Sequence, residues 1–462
     1  MNYQTFSLKN GLTVILVDTA TFPTFTAMLL VGAGSRYENK ENNGVAHFFE
    51  HMAFKGSKKY PNTLLLSSVV EGLGGIFNAF TTKDHTGYWI KAPLFHFETV
   101  IDVLADMIQN PLLLEEEIER EKGVIIEEIN MYEDQPQYKV WELFEEMIYE
   151  NNPLGYPTTG YKETVSQFTR QTFLDYMENL YKPSNVVLVV AGGLSNKSEI
   201  RSLKHNVIPA KDTSDVSKAG IQKINYIDSR FHGNDNYSYY LTIIQEKFSS
   251  WKDGQRASFL NFSDTQNSPQ ILIKTKKTEQ AHLILGYRGL NYTDKKRYVQ
   301  SVLMTILGGG MSSRLFYQVR ERRGLCYYIH SGSEPFSETG YVYTRAGLTV
   351  NARKINEAIK VILGEHENIA SGKFKEEEMK KAKEIVKGKL ILSLEDTHDL
   401  ASFVGRKFIF EGGIIKPEEI VKKIDMIEKE EIVNLAKKLF VKEKFNLSLI
   451  GPFKEEDFQQ II

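Results

Sequence analysis

Two short segments of this 462-residue chain resemble one another and recur in the same setting. Thr86-Gly87-Tyr88-Trp89-Ile90 precedes an amphipathic stretch near Leu94 to Ile108, and Thr339-Gly340-Tyr341-Val342-Tyr343 precedes another near Arg353 to Leu363. Each half then holds a long charged helix and closes on a strand, Asn185 to Val190 before Ala191-Gly192 and Phe445 to Ile450 before Gly451. A repeated order of elements predicts two similar units. Hairpin-like strand pairs followed by helices point to an α+β fold of two homologous domains, each a mixed or antiparallel sheet covered by helices on one side. We place these domains at residues 1–222 and 269–462. Between them, 223–268 reads as a linker with an insertion, where periodicity fades, polar residues gather from Asp228 to Asn236, and His232 reads as a surface side chain.

Composition removes several classes. With 42% hydrophobic and 25% charged residues the chain is an ordinary globular one, neither disordered nor fibrous. A net charge of −2 supplies no electrostatic footprint for nucleic acid, and the lysines between Lys373 and Lys389 alternate with glutamates as on a solvated helix face. No membrane span is expected, since Thr26 to Val31 is apolar but far too short. A single cysteine, Cys326, forbids an internal disulfide and a thiolate metal cage. No signal peptide is visible after Met1, so a cytoplasmic location is expected, a processed exported form being the alternative.

Against this plain background stands His47-Phe48-Phe49-Glu50-His51, an H-x-x-E-H pentapeptide in a helix-compatible apolar run. Imidazoles four residues apart share one helix face, about 6 Å apart along the axis, and both reach a single ion. Two neutral nitrogens with a nearby carboxylate are the parts of a hydrolytic zinc site, which lacks only a third ligand. Residues Leu114 to Glu146 read as one long amphipathic helix on which Glu121, Val124, Ile125, Glu128 and Tyr132 share an inward face. Arg120, Gly123, Glu127, Asn130 and Asp134 take the wetter face, so Glu128 is a better buried ligand than Glu127. We assign Glu128 to the metal and Glu121, two turns earlier, to orienting or neutralising its neighbours.

These residues resemble the inverted-zincin metallopeptidases, the family of pitrilysin, insulysin and the mitochondrial processing peptidase. The pentapeptide, the interval to Glu128 and Arg120-Glu121 all match. The resemblance implies one Zn2+ held by His47, His51 and Glu128, with Glu50 as the general base of peptide hydrolysis and Glu121 beside it. Gly74 to Thr81 followed by Asp84-His85-Thr86-Gly87-Tyr88 looks like the family's substrate-binding edge strand and its partner. By that likeness Asn78, Ala79, Phe80 and Thr81 bind an extended peptide through backbone hydrogen bonds. His85 is expected to make structural hydrogen bonds.

In the second half, Arg320 and Tyr327 match a family pair that contacts substrate, where a donor stabilises the oxyanion. There, Leu307-Gly308-Gly309-Gly310-Met311-Ser312-Ser313-Arg314-Leu315 stands where the first half has its histidine helix, so one metal site is expected. The glycines lack the Gly-Lys-Ser/Thr of a phosphate loop and resemble a flexible loop near substrate. Long family members close four domains into a chamber, so this two-domain chain is expected to need a second one, as a homodimer or a heterodimer with a metal-free paralogue. Arg320 and Tyr327 of one subunit would then face the other's metal site. The alternative function is a noncatalytic scaffold or assembly subunit of the same fold.

Overall fold

The structure, a computed structural model, describes residues 1–20, 22–195, 237–255 and 257–461. The polar run Asp228 to Asn236, with His232, lies outside them. The first half contains β1 (Asn2–Ser7), β2 (Thr13–Asp18), β3 (Thr24–Val31), α1 (Val45–Ala53), α2 (Thr63–Gly72), β4 (Ile76–Thr81) and β5 (Thr86–Pro93). It continues with α3 (Phe97–Gln109), α4 (Glu115–Asp134), α5 (Pro136–Ile148), α6 (Lys162–Val165), α7 (Arg170–Leu180) and β6 (Val186–Gly192). After α8 (Ser238–Phe248) the second half runs β7 (Gln270–Thr275), β8 (Gln280–Arg288), α9 (Arg297–Gly308), β9 (Cys326–Pro335), β10 (Gly340–Thr349), α10 (Ala352–Ala370) and α11 (Glu376–Ser393). It ends with α12 (Thr397–Glu411), α13 (Pro417–Asp425), α14 (Lys429–Leu439) and β11 (Asn446–Gly451).

Among the described residues the strands form a six-stranded sheet, β1-β2-β6-β3-β5-β4, and a five-stranded sheet, β7-β11-β8-β10-β9. Apart from β1, the two orders correspond strand for strand, and the parallel pair β2–β6 has its counterpart in β11–β7. The fold is α+β in two sheet-containing halves, and the repeat seen in the sequence is a repeat of topology. The counterpart of α1 is α9, with Gly308 to Gly310 at its C-terminal end rather than in place of the helix.

The two halves exchange helices. Strand β6, Val-Val-Leu-Val-Val-Ala-Gly, is buried throughout, so both faces of its sheet need cover. One face meets α1, α3 and α7 of its own half. The other receives Leu400, Ala401 and Val404 of α12, from the second half, against Ile15, Met28, Leu30 and Val189. In return Val140, Leu143, Phe144 and Ile148 of α5 cover Ile284, Tyr341 and Ile450 of the second sheet. The expected single covered face is thus only half of each sheet's packing.

The long helix expected over Leu114 to Glu146 is two helices. Pro136 drives Gln135 to an extended backbone, φ −102 and ψ 96, and itself serves as the first residue of α5, where its missing N–H costs nothing. That break frees α5 to cross to the other sheet. Val124, placed inward by the sequence reading, is 48% exposed. It lies on the flank of a buried stripe made by Ile118, Glu121, Ile125 and Ile129.

Of the segment between the halves, α8 is part of the first half's core: Tyr240 packs on Phe97 with ring centroids 4.8 Å apart, and Lys247 pairs with Asp102 at 3.2 Å. Residues 257–264 then run between the halves. Phe259 lies over Arg36 (3.5 Å) and Phe262 over Arg288 (4.5 Å), so two guanidinium–ring stacks seat this stretch. No helix among the described residues is long and apolar enough to cross a membrane.

Candidate metal centre

Helix α1 is amphipathic in the sense its chemistry requires. Val45, Ala46, Phe48, Phe49, Met52 and Ala53 are buried, with Phe48 against Phe173 (5.0 Å) and Phe49 against Tyr181 (4.8 Å). This packing turns His47, Glu50 and His51 to the opposite, partly open face. Helix α4 crosses there and brings Glu128 between the two rings: Glu128 Oε2 lies 3.6 Å from His47 Nε2 and 3.7 Å from His51 Nε2. The side chains are only 12%, 24% and 24% exposed, so the cluster is sheltered yet reachable.

Among the described residues this is the one group of three or more histidine, cysteine or acidic side chains able to hold a metal, its ligand atoms all within 4.8 Å of one another. Ligands at about 2.1 Å in a tetrahedron stand about 3.4 Å apart, close to the observed spacings. Burial, with the neighbouring His51 charge, pushes the pKa of His47 down to about 3, so its imidazole is the neutral form a metal needs. His51 Nδ1 lies 2.9 Å from Glu121 Oε1, which places the proton on Nδ1 and leaves Nε2 free to ligate. Burial lowers the pKa of His51, but Glu121, Glu128 and Glu50 outweigh it and raise it. The donor set fits zinc.

Glu121 is 3% exposed and meets this arrangement through its contact with His51. Burial would raise its pKa, yet the hydrogen bonds from His51 and Lys55 hold it below the usual carboxylate range. Lys55, on the turn after α1, reaches Glu121 Oε2 at 2.5 Å. Glu50 lies beside the cluster and is not one of its three donors. Thr81 Oγ1, from β4, donates to Glu50 Oε2 at 2.6 Å, and among the described residues no hydrogen bond engages Oε1. Burial raises the pKa of Glu50 and the Thr81 hydrogen bond opposes the rise. Sequence reasoning missed Lys55 and the Thr81–Glu50 bond, for neither follows from helical or strand periodicity.

Strand β4 is an edge: it pairs with β5 through Asn78↔Trp89, Ala79↔Tyr88, Phe80↔Gly87 and Thr81↔Thr86, and with no other described strand. At that edge Ala79 N–H donates to its neighbour's side chain, Asn78 Oδ1, at 2.9 Å. His85 is structural, buried at 3% exposure, with Nδ1 2.9 Å from Thr82 Oγ1, its pKa pushed down to about 3 by burial. Arg320 and Tyr327 lie elsewhere, at the edge of the second sheet. Tyr327 falls where the β9–β10 register skips a residue, from Gly347↔Tyr328 to Leu348↔Cys326, and this bulge turns its ring out to 72% exposure. Arg320 sits in a π-helical turn, Phe316–Glu321, 5.8 Å above the Tyr327 ring. Among the described residues neither bonds to the histidine cluster.

Comparison with known proteins assigns the chain to a family. Residues 13–162 match the family described as Insulinase (Peptidase family M16), and residues 229–386 match Peptidase M16 inactive domain. A Bacillus subtilis protein named uncharacterized zinc protease YmxG is 32% identical over 450 residues, covering 97% of this chain and 98% of that protein. The chain belongs to peptidase family M16. A Rickettsia felis protein, also named an uncharacterized zinc protease, shares 32% identity over 95% of this M16 chain and 95% of its own. Among solved structures, a protease from Helicobacter pylori superimposes with a TM-score of 0.82 at 20% identity, covering 98% of the M16 chain and 99% of its own. A Pseudomonas fluorescens structure titled peptidase M16 inactive domain superimposes at 0.81 and 19%, which extends the likeness of fold. The Insulinase match covers the histidine cluster's two histidines and Glu128, and the inactive-domain match falls on residues without such a cluster among those described.

Proposed function

We propose that this chain is a zinc-dependent endopeptidase for peptides or unfolded segments of polypeptide. The observation that carries the reading is the convergence of His47 Nε2, His51 Nε2 and Glu128 Oε2 beside a carboxylate, Glu50, that does not ligate. When bound, zinc supplies Lewis acidity toward water and the scissile carbonyl. Glu50 takes the proton of the attacking water at Oε1 while Thr81 holds Oε2, and then delivers that proton to the departing amine. Burial of Glu50 raises its basicity, which suits both transfers. Glu121, fixed by Lys55, keeps the His51 ring and its tautomer in place.

The free edge of β4 takes up an extended peptide by strand addition, with Asn78 to Thr81 supplying backbone groups and Asn78 releasing the Ala79 N–H. Recognition by main chain favours unfolded substrates over any one side-chain sequence. Arg320 and Tyr327 serve the oxyanion from a second chain, identical or a metal-free paralogue, whose second half closes over the site. The exposure of Tyr327 on an edge strand, with the Arg320 guanidinium 5.8 Å above its ring, supports that role.

The experiment is zinc analysis of the purified protein together with cleavage of an unstructured peptide, with and without a chelator, and for Glu50→Gln. One zinc per chain, chelator-sensitive cleavage, and a Glu50→Gln rate lower by about 10² to 10⁴ are expected. Zinc without cleavage supports the scaffold alternative, and full activity of Glu50→Gln removes the assigned base. Size measurement at assay concentration decides the second chain.

A further inference from the structure

Helix α1 starts without a cap of its own. The residue before Val45 is Gly44, with φ +99 and no side chain, so the N-cap position offers nothing to the free N–H groups of the first turn. The carboxylate of Glu38 replaces it from the preceding loop. Its Oε2 accepts from Gly44 N–H and from Asn43 Nδ2, and its Oε1 from Ala46 N–H, each at 2.8 Å. Glu38 is 3% exposed, and Asn43, fully buried, also donates to Pro157 O at 3.1 Å. Burial pushes the pKa of Glu38 up to about 8, but its three partners are all N–H donors and none accepts a carboxyl proton, so the geometry is that of the ionised form. An anion here also meets the positive end of the helix.

The seat of Glu38 is itself rigid. Two residues earlier, the buried Arg36 pairs with Asp84 at 2.6 Å and with Glu338 of the second half at 2.5 Å. Below, an added Cβ on Gly44 would come within 2.7 Å of Gly160 Cα, so the helix start is pressed against a second loop. His47 follows Ala46 directly. Unlike His51, whose ring is held by Glu121, His47 has a buried Nδ1 with no hydrogen-bond partner among the described residues. Its ring direction is therefore inherited from the backbone of the first turn of α1, and from packing.

We propose that Glu38 is a positioning residue of the metal centre: it pins the first turn of α1 so that His47 Nε2 faces the same point as His51 and Glu128. The role rests on the zinc reading above. Glutamine at 38 keeps the shape but converts one acceptor to a donor, and whichever way the amide turns, a donor faces a donor.

The test is chelator competition for zinc, with the visible spectrum of the cobalt-substituted protein and circular dichroism of the metal-free form, on wild type, Glu38→Gln and Asn43→Ala. Glu38→Gln is expected to weaken zinc by about 10- to 100-fold and to alter the cobalt spectrum. Asn43→Ala, which removes one of the three donors and keeps the charge, is expected to weaken zinc less, and it decides the matter if Glu38→Gln does not fold. Wild-type affinity and spectrum in the folded variants, with only a lower melting temperature, would overturn the proposal and leave Glu38 a stability residue. Absence of stoichiometric zinc in the wild type would instead refute the metal reading itself.

Discussion

Phe144→Ala tests the exchange of helices between the halves. Phe144 belongs to the first half by sequence, yet it is fully buried against the second sheet. Its ring meets Tyr341 at 5.5 Å, and its Cζ lies so close to β8 that a Cβ on Gly286 would stand 2.7 Å from it. Truncating it removes the ring's transfer free energy and leaves a cavity between α5 and β8 that the strands cannot close, a loss of about 3 to 5 kcal/mol. A chain with two packed halves need not unfold in one step, so a single melting temperature is a poor readout. Hydrogen exchange followed by mass spectrometry resolves the site. Peptides covering β8, β10 and β11 should exchange on the order of 10² times faster or more, with β2, β3 and β6 much less affected. Loss of protection confined to residues 13–195 would show that α5 stabilises its own half, and the reasoning would fail.

Thr81→Val removes the 2.6 Å donor to Glu50, a hydrogen bond to a charged group of about 1.5 to 3 kcal/mol; kcat should fall about tenfold or more with zinc content intact, and Thr81→Ser should recover most of it. A Ser variant as slow as Val would assign the loss to β4 packing instead. Glu128→Ala should lose zinc on dialysis, whereas Glu121→Gln should keep it with affinity weaker by about 10- to 100-fold; metal analysis separates the two, and equal retention in both denies Glu128 a ligand role. Glu334 has its pKa pushed up to about 7, by burial first and then by Glu145. It holds its proton more tightly when folded, so its contribution to stability is full below the ordinary carboxylate range and is lost as pH rises through about 7. Glu334→Gln should therefore raise the melting temperature at pH 8 and change it little at pH 5, and an equal change at both would contradict the burial argument.

Much of the site is legible in the linear chain because its parts are helical. Spacing of four places His47 and His51 on one face, and the alternation of acids along α4 separates Glu128 from Glu127 before any contact is known. The duplicated strand starts at Thr86 and Gly340 likewise announce two related sheets, since hairpin order is local. Pro136 was a readable stop that continuing amphipathicity concealed. Val124 satisfied the spacing of its stripe but lies on its flank, where a few tens of degrees of helix rotation decide exposure.

Other features are not encoded by any local period. Lys55 meets Glu121, Thr81 meets Glu50, and Glu38 reaches forward from the preceding loop to cap α1, each because the folded backbone brings together groups whose separation in sequence carries no signal. The continuous apolar run of β6 states that both faces of its sheet are covered, but it does not name the cover. That α12 lies on the first sheet and α5 on the second is decided by which packing of the whole chain buries the most apolar surface without voids. Periodicity records which side of an element avoids water, whereas the partner that shields it is a property of all the elements together.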